Sequence, residues 1–191
     1  DIIDLREPGM SWKDLYTRVV NFKNKPLSSD EYCRLGKVFE IKLYANMNPP
    51  ILPTVNGANL AAKYGKLEVL KYLTSLNIFP TVDGIEYAAE QGQLEVLKYL
   101  VSLNILLSDA TSWYAAKNSD LEILKYLVSL NILPTVMDAN WVAGNGHLDI
   151  LKYLVSLGIL PTIHGADLAA QRKQTDVLEY LSSLNPPILP N

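Results

Sequence analysis

The chain of 191 residues has one cysteine, Cys33. A lone thiol cannot form an intrachain disulfide, which fits a reducing compartment, and Cys33 reads as an ordinary buried thiol. Histidine is nearly as scarce. His147 and His164 have no cysteine or histidine at metal-ligand spacing. His147 reads as a helix-start residue and His164 as part of an exposed polar face. No apolar run reaches the ~18–20 residues of a membrane helix, so no membrane partner is expected. No basic segment followed by an apolar core opens the chain, so no signal peptide is expected. Charge is sparse at 19%, with a net −3 and an acidic excess after residue 50. That excludes the basic stripe of a general nucleic-acid binder. Glycine-rich phosphate loops and nucleophile–base constellations are missing too. Together these absences predict no enzyme, no cofactor and no metal. The first residue is Asp1 rather than methionine, which implies that something precedes it.

What the chain does have is repetition. LEVLKYLTSLNIFPT starts at Leu67, and near-copies start at Leu94, Leu121, Leu148 and, more worn, Thr175, each 27 residues after the last. A period of this size predicts a repeat array. Five copies span 51–77, 78–104, 105–131, 132–158 and 159–185. A degenerate leading copy occupies 26–50. Residues 1–25 form an N-terminal capping region and 186–191 a tail. In the capping region Pro8-Gly9 marks a turn after an extended lead-in, and Ser11 looks like the N-cap of a helix to about Phe22. Trp12, Leu15, Tyr16, Val19 and Val20 share one face of that helix. Helices are also expected over 29–35 and 37–47.

Each copy predicts two helices. Leu52-Pro53-Thr54 gives an extended residue held out of the helical region by proline, then a Thr cap. Helix A follows over about Val55–Lys63, and its alanine pair Ala61-Ala62 permits close approach of neighbours. Gly65 fits a left-handed C′ position. Helix B follows over about Leu67–Leu76, and its apolar residues cover nearly its whole circumference. A single hairpin cannot bury that surface; stacked hairpins can. The closing column Asn77, Asn104, Asn131, Gly158, Asn185 holds the two residue types that most readily adopt αL. The three-residue link Ile78-Phe79-Pro80 is too short for a β-hairpin. The acidic column 68, 95, 122, 149, 176 reads as the solvated, dipole-matched edge of helix B. The unbroken Tyr72, Tyr99, Tyr126, Tyr153, Tyr180 ladder reads as packing between hairpins.

A scaffold repeats the same residue, whereas a binding surface need not. Three columns of helix A vary at i, i+3, i+7 spacing and so share a face. The first is Asn56, Asp83, Ala110, Met137, His164. The second is Asn59, Glu86, Trp113, Asn140, Asp167. The third is Lys63, Glu90, Lys117, Gly144, Gln171. This strip is the expected partner-binding surface. Trp113 has two open readings. It is either an aromatic anchor of an interface or a space-filler beside Tyr114 and Trp141 where the third copy lacks its Pro-Thr start. The neighbouring column Leu60, Tyr87, Tyr114, Trp141, Leu168 is expected to be core.

Ala61 to Leu73, AAKYGKLEVLKYL, and Gly144 to Gly158, GNGHLDILKYLVSLG, resemble the second half of an ankyrin repeat. The resemblance covers residues 26–185. It departs from that family in a period about six residues short of the usual 33, the gap falling where the β-turn finger would project. It also has Asn56-Gly57-Ala58-Asn59 in place of Thr-Pro-Leu-His. It implies an all-α solenoid of stacked helix-turn-helix repeats without fingers, similar in style to repeat-rich proteins of giant amoebal viruses. It implies a protein–protein interaction module, adaptor or scaffold, with another protein as partner, a monomeric chain and a location in the cytoplasm of a host cell or in a virion. Two alternatives stay open. One is an assembly component packing through repeat ends or the Tyr ladder. The other is the recognition part of an F-box-type ubiquitin-ligase adaptor, because Trp12-Lys13-Asp14-Leu15-Tyr16 is faintly similar to the end of an F-box.

Overall fold

The computed structural model describes residues 8–24, 27–105 and 107–191, which form thirteen α-helices and no strand. The lead-in expected before Pro8 lies outside them. Close contacts divide the chain into two units, Asp1–Ala88 and Ala89–Asn191. The division falls within a helix of the 78–104 copy rather than between copies.

The first unit contains α1 (Trp12–Asn24), α2 (Ser29–Leu35), α3 (Val38–Ala45), α4 (Val55–Lys63), α5 (Leu67–Ser75) and most of α6 (Val82–Glu90). Ser11 starts α1 as expected: its hydroxyl accepts the Asp14 N–H at 3.1 Å, and the Asp14 carboxylate accepts the Ser11 N–H at 3.4 Å. Such reciprocal bonds satisfy donors that a helix start leaves unpaired. The buried stripe of α1 differs from the expected one. Leu15 and Phe22 are buried, while Trp12 and Tyr16 are exposed. Phe22 sets the orientation, because it packs edge-on against Tyr44 at 4.7 Å and beside Tyr32 at 5.8 Å. That aromatic cluster binds α1 to α2 and α3, and turns Trp12 and Tyr16 outward.

The second unit contains α7 (Leu94–Ser102), α8 (Ala110–Lys117), α9 (Leu121–Ser129), α10 (Val136–Gly144), α11 (Leu148–Ser156), α12 (Ile163–Gln171) and α13 (Thr175–Ser182). In both units a copy is a helix pair, with α4 on α5, α8 on α9, α10 on α11 and α12 on α13. First helices also lie side by side, α2 with α4 and α10 with α12. The alanine pairs make this possible. Ala61, Ala62, Ala115, Ala116, Ala143 and Ala169 are wholly buried, against a second layer of Leu70, Leu73, Leu124, Leu127, Leu151 and Leu154.

Second helices end one residue earlier than expected, and Asn77, Asn104, Asn131 and Gly158 follow with φ between 59° and 79°. Asn185, which precedes Pro186, is the exception in its column and has no positive φ. The acidic column lies at the solvated edge, where Glu68, Glu95 and Glu122 each pair with the lysine three residues on, at 2.7–2.9 Å. The tyrosine ladder is half-buried. The lysine of the preceding copy covers the ring in two cases, Lys42 over Tyr72 at 5.4 Å and Lys152 over Tyr180 at 5.7 Å. No described helix is long and apolar enough to cross a membrane.

Candidate functional site

The three variable columns of helix A behave differently, and the second is the most informative. Its side chains reach to the start of the next copy. Asn59 Oδ1 accepts the Thr81 N–H at 2.8 Å, and its Nδ2 donates to the Thr81 hydroxyl at 3.0 Å. Asn140 Oδ1 accepts the Thr162 N–H at 2.8 Å. Asp30, in the leading copy, takes the Thr54 N–H at 2.7 Å and its hydroxyl at 2.6 Å. Asp167 takes the N–H of Asn191, which stands where the next Thr would be, at 2.7 Å. Each Asn or Asp is thus a clamp joining one helix A to the cap of the next. Asn59, Asn140 and Asp167 have a structural task that competes with contact to a partner.

The clamp needs room. A Cβ at Gly165 would stand 2.7 Å from Asn140 Oδ1 and 3.0 Å from Asn140 Cα. One at Gly84 would collide with Asn59, and one at Gly57 would stand 2.5 Å from Asp30 Oδ1. The glycine at the third helical position is therefore the imprint of the clamp that reaches over it.

Within the second unit one junction is wired otherwise. Trp113 stands in the clamp column and offers no acceptor for a backbone N–H. The facing residue in α10 is Asp138 instead of glycine. Asp138 accepts the Thr135 N–H on Oδ2 at 2.7 Å, and Thr135 accepts the Asp138 N–H at 3.3 Å, a capping box within one helix. The orphan donor that a neighbour satisfies elsewhere is here satisfied locally. The wedge of Trp113 leaves α8 and α10 in smaller contact than α10 and α12.

A cavity of about 500 Å³ opens there, reaching α12. Trp113 and Trp141 form its aromatic wall, ring centroids 5.0 Å apart and crossed at 64°. Ala110, Met137 and Leu168 supply further apolar surface, and Met137 is 77% exposed. Asp109, Asp138, Asn140 and His164 supply the polar atoms. Trp141 Nε1–H is buried with no acceptor, and Arg172, held by Asn145 at 2.8 Å, lies 5.7 Å from the Trp141 ring. Trp113 is half-buried against Trp141 and also lines the opening.

The structure brings Trp113, Met137, Asn140 and His164 together around this cavity. The other predicted residues lie elsewhere. In the first unit Asn56 and Asp83 are exposed, Glu86 is half-buried, and Lys63 sits 4.6 Å over the Tyr87 ring. In the second unit Lys117 pairs with Glu90 at 2.6 Å, and that bond holds the ammonium pKa above its ordinary value. Gly144 is buried because Leu168 approaches to 2.8 Å of where its Cβ would be. The expected core column corrects in part. Leu60, Tyr114, Trp141 and Leu168 are half-buried, but Tyr87 is exposed. The Lys63 ammonium stands over its exposed ring.

Two features escaped the sequence reading. Asp109 and Asp138 belong to the site, and the joint departure from Asn–Gly to Trp–Asp was the signal. Recurrent apolar residues at links and helix starts are exposed, among them Val55 and Phe79 in the first unit and Leu133, Val136, Leu160 and Ile163 in the second. Among the described residues no three His, Cys, Asp or Glu gather where they could hold a metal. His147 starts α11 and is part-buried, which lowers its pKa. No protein-family model matches the chain, and no curated protein is similar to it.

Proposed function

We propose that this chain is a protein-interaction module, a fingerless ankyrin-like solenoid that binds another protein inside a cell, without catalysis. The observation that carries this reading is the cavity at the Trp113–Asp138 junction. It is the place in the second unit where the repeat geometry is given up, and what results is a concave, largely apolar pocket with a few polar groups at its edge. That composition is usual for binding pockets. An exposed methionine beside paired tryptophans is an adaptable, anchor-rich surface of the kind found at interface centres.

The test uses Met137→Glu. Because this side chain is mostly exposed, thermal stability should stay near that of the wild type while partner binding is lost. Proteins captured by the wild-type chain and not by the variant would be purified and their direct binding measured. A captured set, and direct affinities, unchanged by Met137→Glu would remove the pocket from the function.

The exposed link residues favour a second reading, self-assembly. Rows of exposed leucine and valine are what an assembling surface presents. Light scattering over a concentration series separates the two, since growth in size with concentration supports assembly and a constant monomer mass supports the adaptor.

A further inference from the structure

The polar groups around the Trp113–Trp141 cavity identify the chemistry of what enters it, granted that the cavity is a binding site as proposed above. Its lining contains no lysine or arginine. It contains two carboxylates. Asp109 stands at the start of α8 in a helical conformation, caps nothing, and is exposed with no hydrogen bond to its side chain. Asp138 is 4% exposed, and only its Oδ2 is engaged, by the Thr135 N–H. Its Oδ1 has no protein partner and opens to solvent in the cavity wall. An occupant that seals the cavity strips water from that oxygen, which is costly unless the occupant is cationic or donates to it. Beside these acids stand two indoles, whose faces carry negative quadrupolar charge.

An aliphatic anchor would use the indoles and leave the acids desolvated. An acidic group would be repelled. A bare ammonium would meet the acids, but its tight hydration disfavours the apolar wall. A guanidinium on an alkyl stem satisfies all three demands. It is planar and weakly hydrated, stacks on indoles and donates to carboxylates in pairs. We propose that the pocket between α8, α10 and α12 binds an arginine side chain presented by an extended segment of the partner, with Trp113 and Trp141 against the guanidinium and Asp109 and Asp138 answering its charge. The third copy therefore selects for charge as well as for shape. Asp109 occupies the position held by Val55, Val82, Val136 and Ile163 in the other copies, so the acid arises where the apolar row is interrupted.

The test is a titration of the full chain with capped tripeptides Ala-X-Ala, X being arginine, lysine, norleucine or glutamate, followed by the indole N–H signals in a proton–nitrogen NMR spectrum. The arginine peptide should shift the Trp113 and Trp141 indoles. The lysine and norleucine peptides should bind more weakly by a factor on the order of five, and the glutamate peptide should not bind. Asp109→Asn should weaken arginine binding by a similar factor, and 0.5 M NaCl should weaken it further because the site is open to screening. The double variant Trp113→Asn with Asp138→Gly rebuilds the Asn–Thr–Gly clamp seen at Asn140, Thr162 and Gly165. It should fold, by circular dichroism, and bind none of the peptides. Norleucine binding as tightly as arginine would overturn the arginine assignment and leave the pocket as an apolar docking site. Indole signals unmoved by every peptide would overturn the arginine assignment. An unchanged affinity in Asp109→Asn would also overturn it.

Discussion

Replacing Asn140 by alanine tests whether the second variable column is scaffold rather than binding surface. In the wild type, Asn140 Oδ1 accepts the Thr162 N–H at 2.8 Å and the Thr162 hydroxyl at 3.2 Å. A net protein hydrogen bond contributes about 0.5–1.5 kcal/mol. Two such bonds set an upper range of about 1–3 kcal/mol, and two features lower it. Thr162 is exposed, so water takes the freed N–H and no buried donor is orphaned. Thr162 also makes no side-chain cap of its own helix. Once released its hydroxyl can cap, since Thr54 accepts the Asn56 N–H at 3.1 Å even while Asp30 holds it, which recovers part of the loss. The expected cost is therefore about 1 kcal/mol. Asn140→Asp keeps the acceptor and places a negative charge at the start of α12, where the helix dipole favours it. It should lie within about 0.5 kcal/mol of the wild type. The assay is urea unfolding followed by circular dichroism, with the midpoints compared at a common slope. If Asn140→Ala unfolds at the wild-type midpoint, or Asn140→Asp loses as much as the alanine variant, the clamp is not a stabilising device. Asn140 then returns to the list of partner contacts.

Three further expectations follow from the same contacts. Gly165→Ala should destabilise by about 1–2 kcal/mol in urea unfolding, because the Cβ would crowd Asn140 Cα and Pro161 Cβ, both at 3.0 Å, by more than alanine's helix preference of about 1 kcal/mol returns. Cys33 is wholly buried, and burial, aided by the Asp30 charge, pushes its thiol up to about 12. The folded chain should therefore resist a thiol reagent at pH 8.5 and react on unfolding, and since the folded state holds its proton more tightly, this thiol's contribution to stability is full below the unfolded value near 9 and is lost as pH rises toward 12. Gln93 caps α7 without a side-chain bond, whereas Asp120 at the same position of the next copy accepts the Ile123 N–H at 3.0 Å; Gln93→Asp should raise the unfolding free energy by about 0.5–1 kcal/mol.

The helices were legible because each is announced by local chemistry repeated several times. Thr before helix A, glycine or asparagine after each turn, and the paired alanines fix ends and packing distance with little help from tertiary context. α4, at Val55–Lys63, falls where Thr54 and Gly65 place it. The face of α1 was less legible because Trp12, Tyr16 and Phe22 are equally apolar, and only the aromatic cluster with Tyr32 and Tyr44 decides which one is buried. The site was half legible. Variation marked Trp113, Met137, Asn140 and His164, but variation alone cannot separate a residue facing a partner from one facing the next copy. Asn59 and Asn140 differ from Trp113 in their partners, Thr81 and Thr162, which lie 22 residues on in sequence.

That separation explains why the pocket sits where it does. In a clamped junction the Asn, the Thr and the glycine form one unit, so no member can change alone. Filling the glycine position strikes the clamp, and removing the clamp leaves the Thr N–H to find another acceptor. The third junction changed two members together. Trp113 abandons the clamp, and Asp138 fills the glycine position and takes over the Thr135 N–H. The exchange keeps the backbone donor satisfied while a bulky indole holds the helices apart. A binding cavity could not have been added to a clamped junction without such a pair, because the clamp brings helix A against the next cap at the spot the cavity needs. Returning both positions to Asn and Gly should therefore close the pocket and leave the fold intact, whereas Asp138→Gly alone should leave the Thr135 N–H without its acceptor and lower stability by about 1 kcal/mol. Equal stability of that single variant and the double one would show that the two positions are independent, and the coupling between scaffold and site would fail with it.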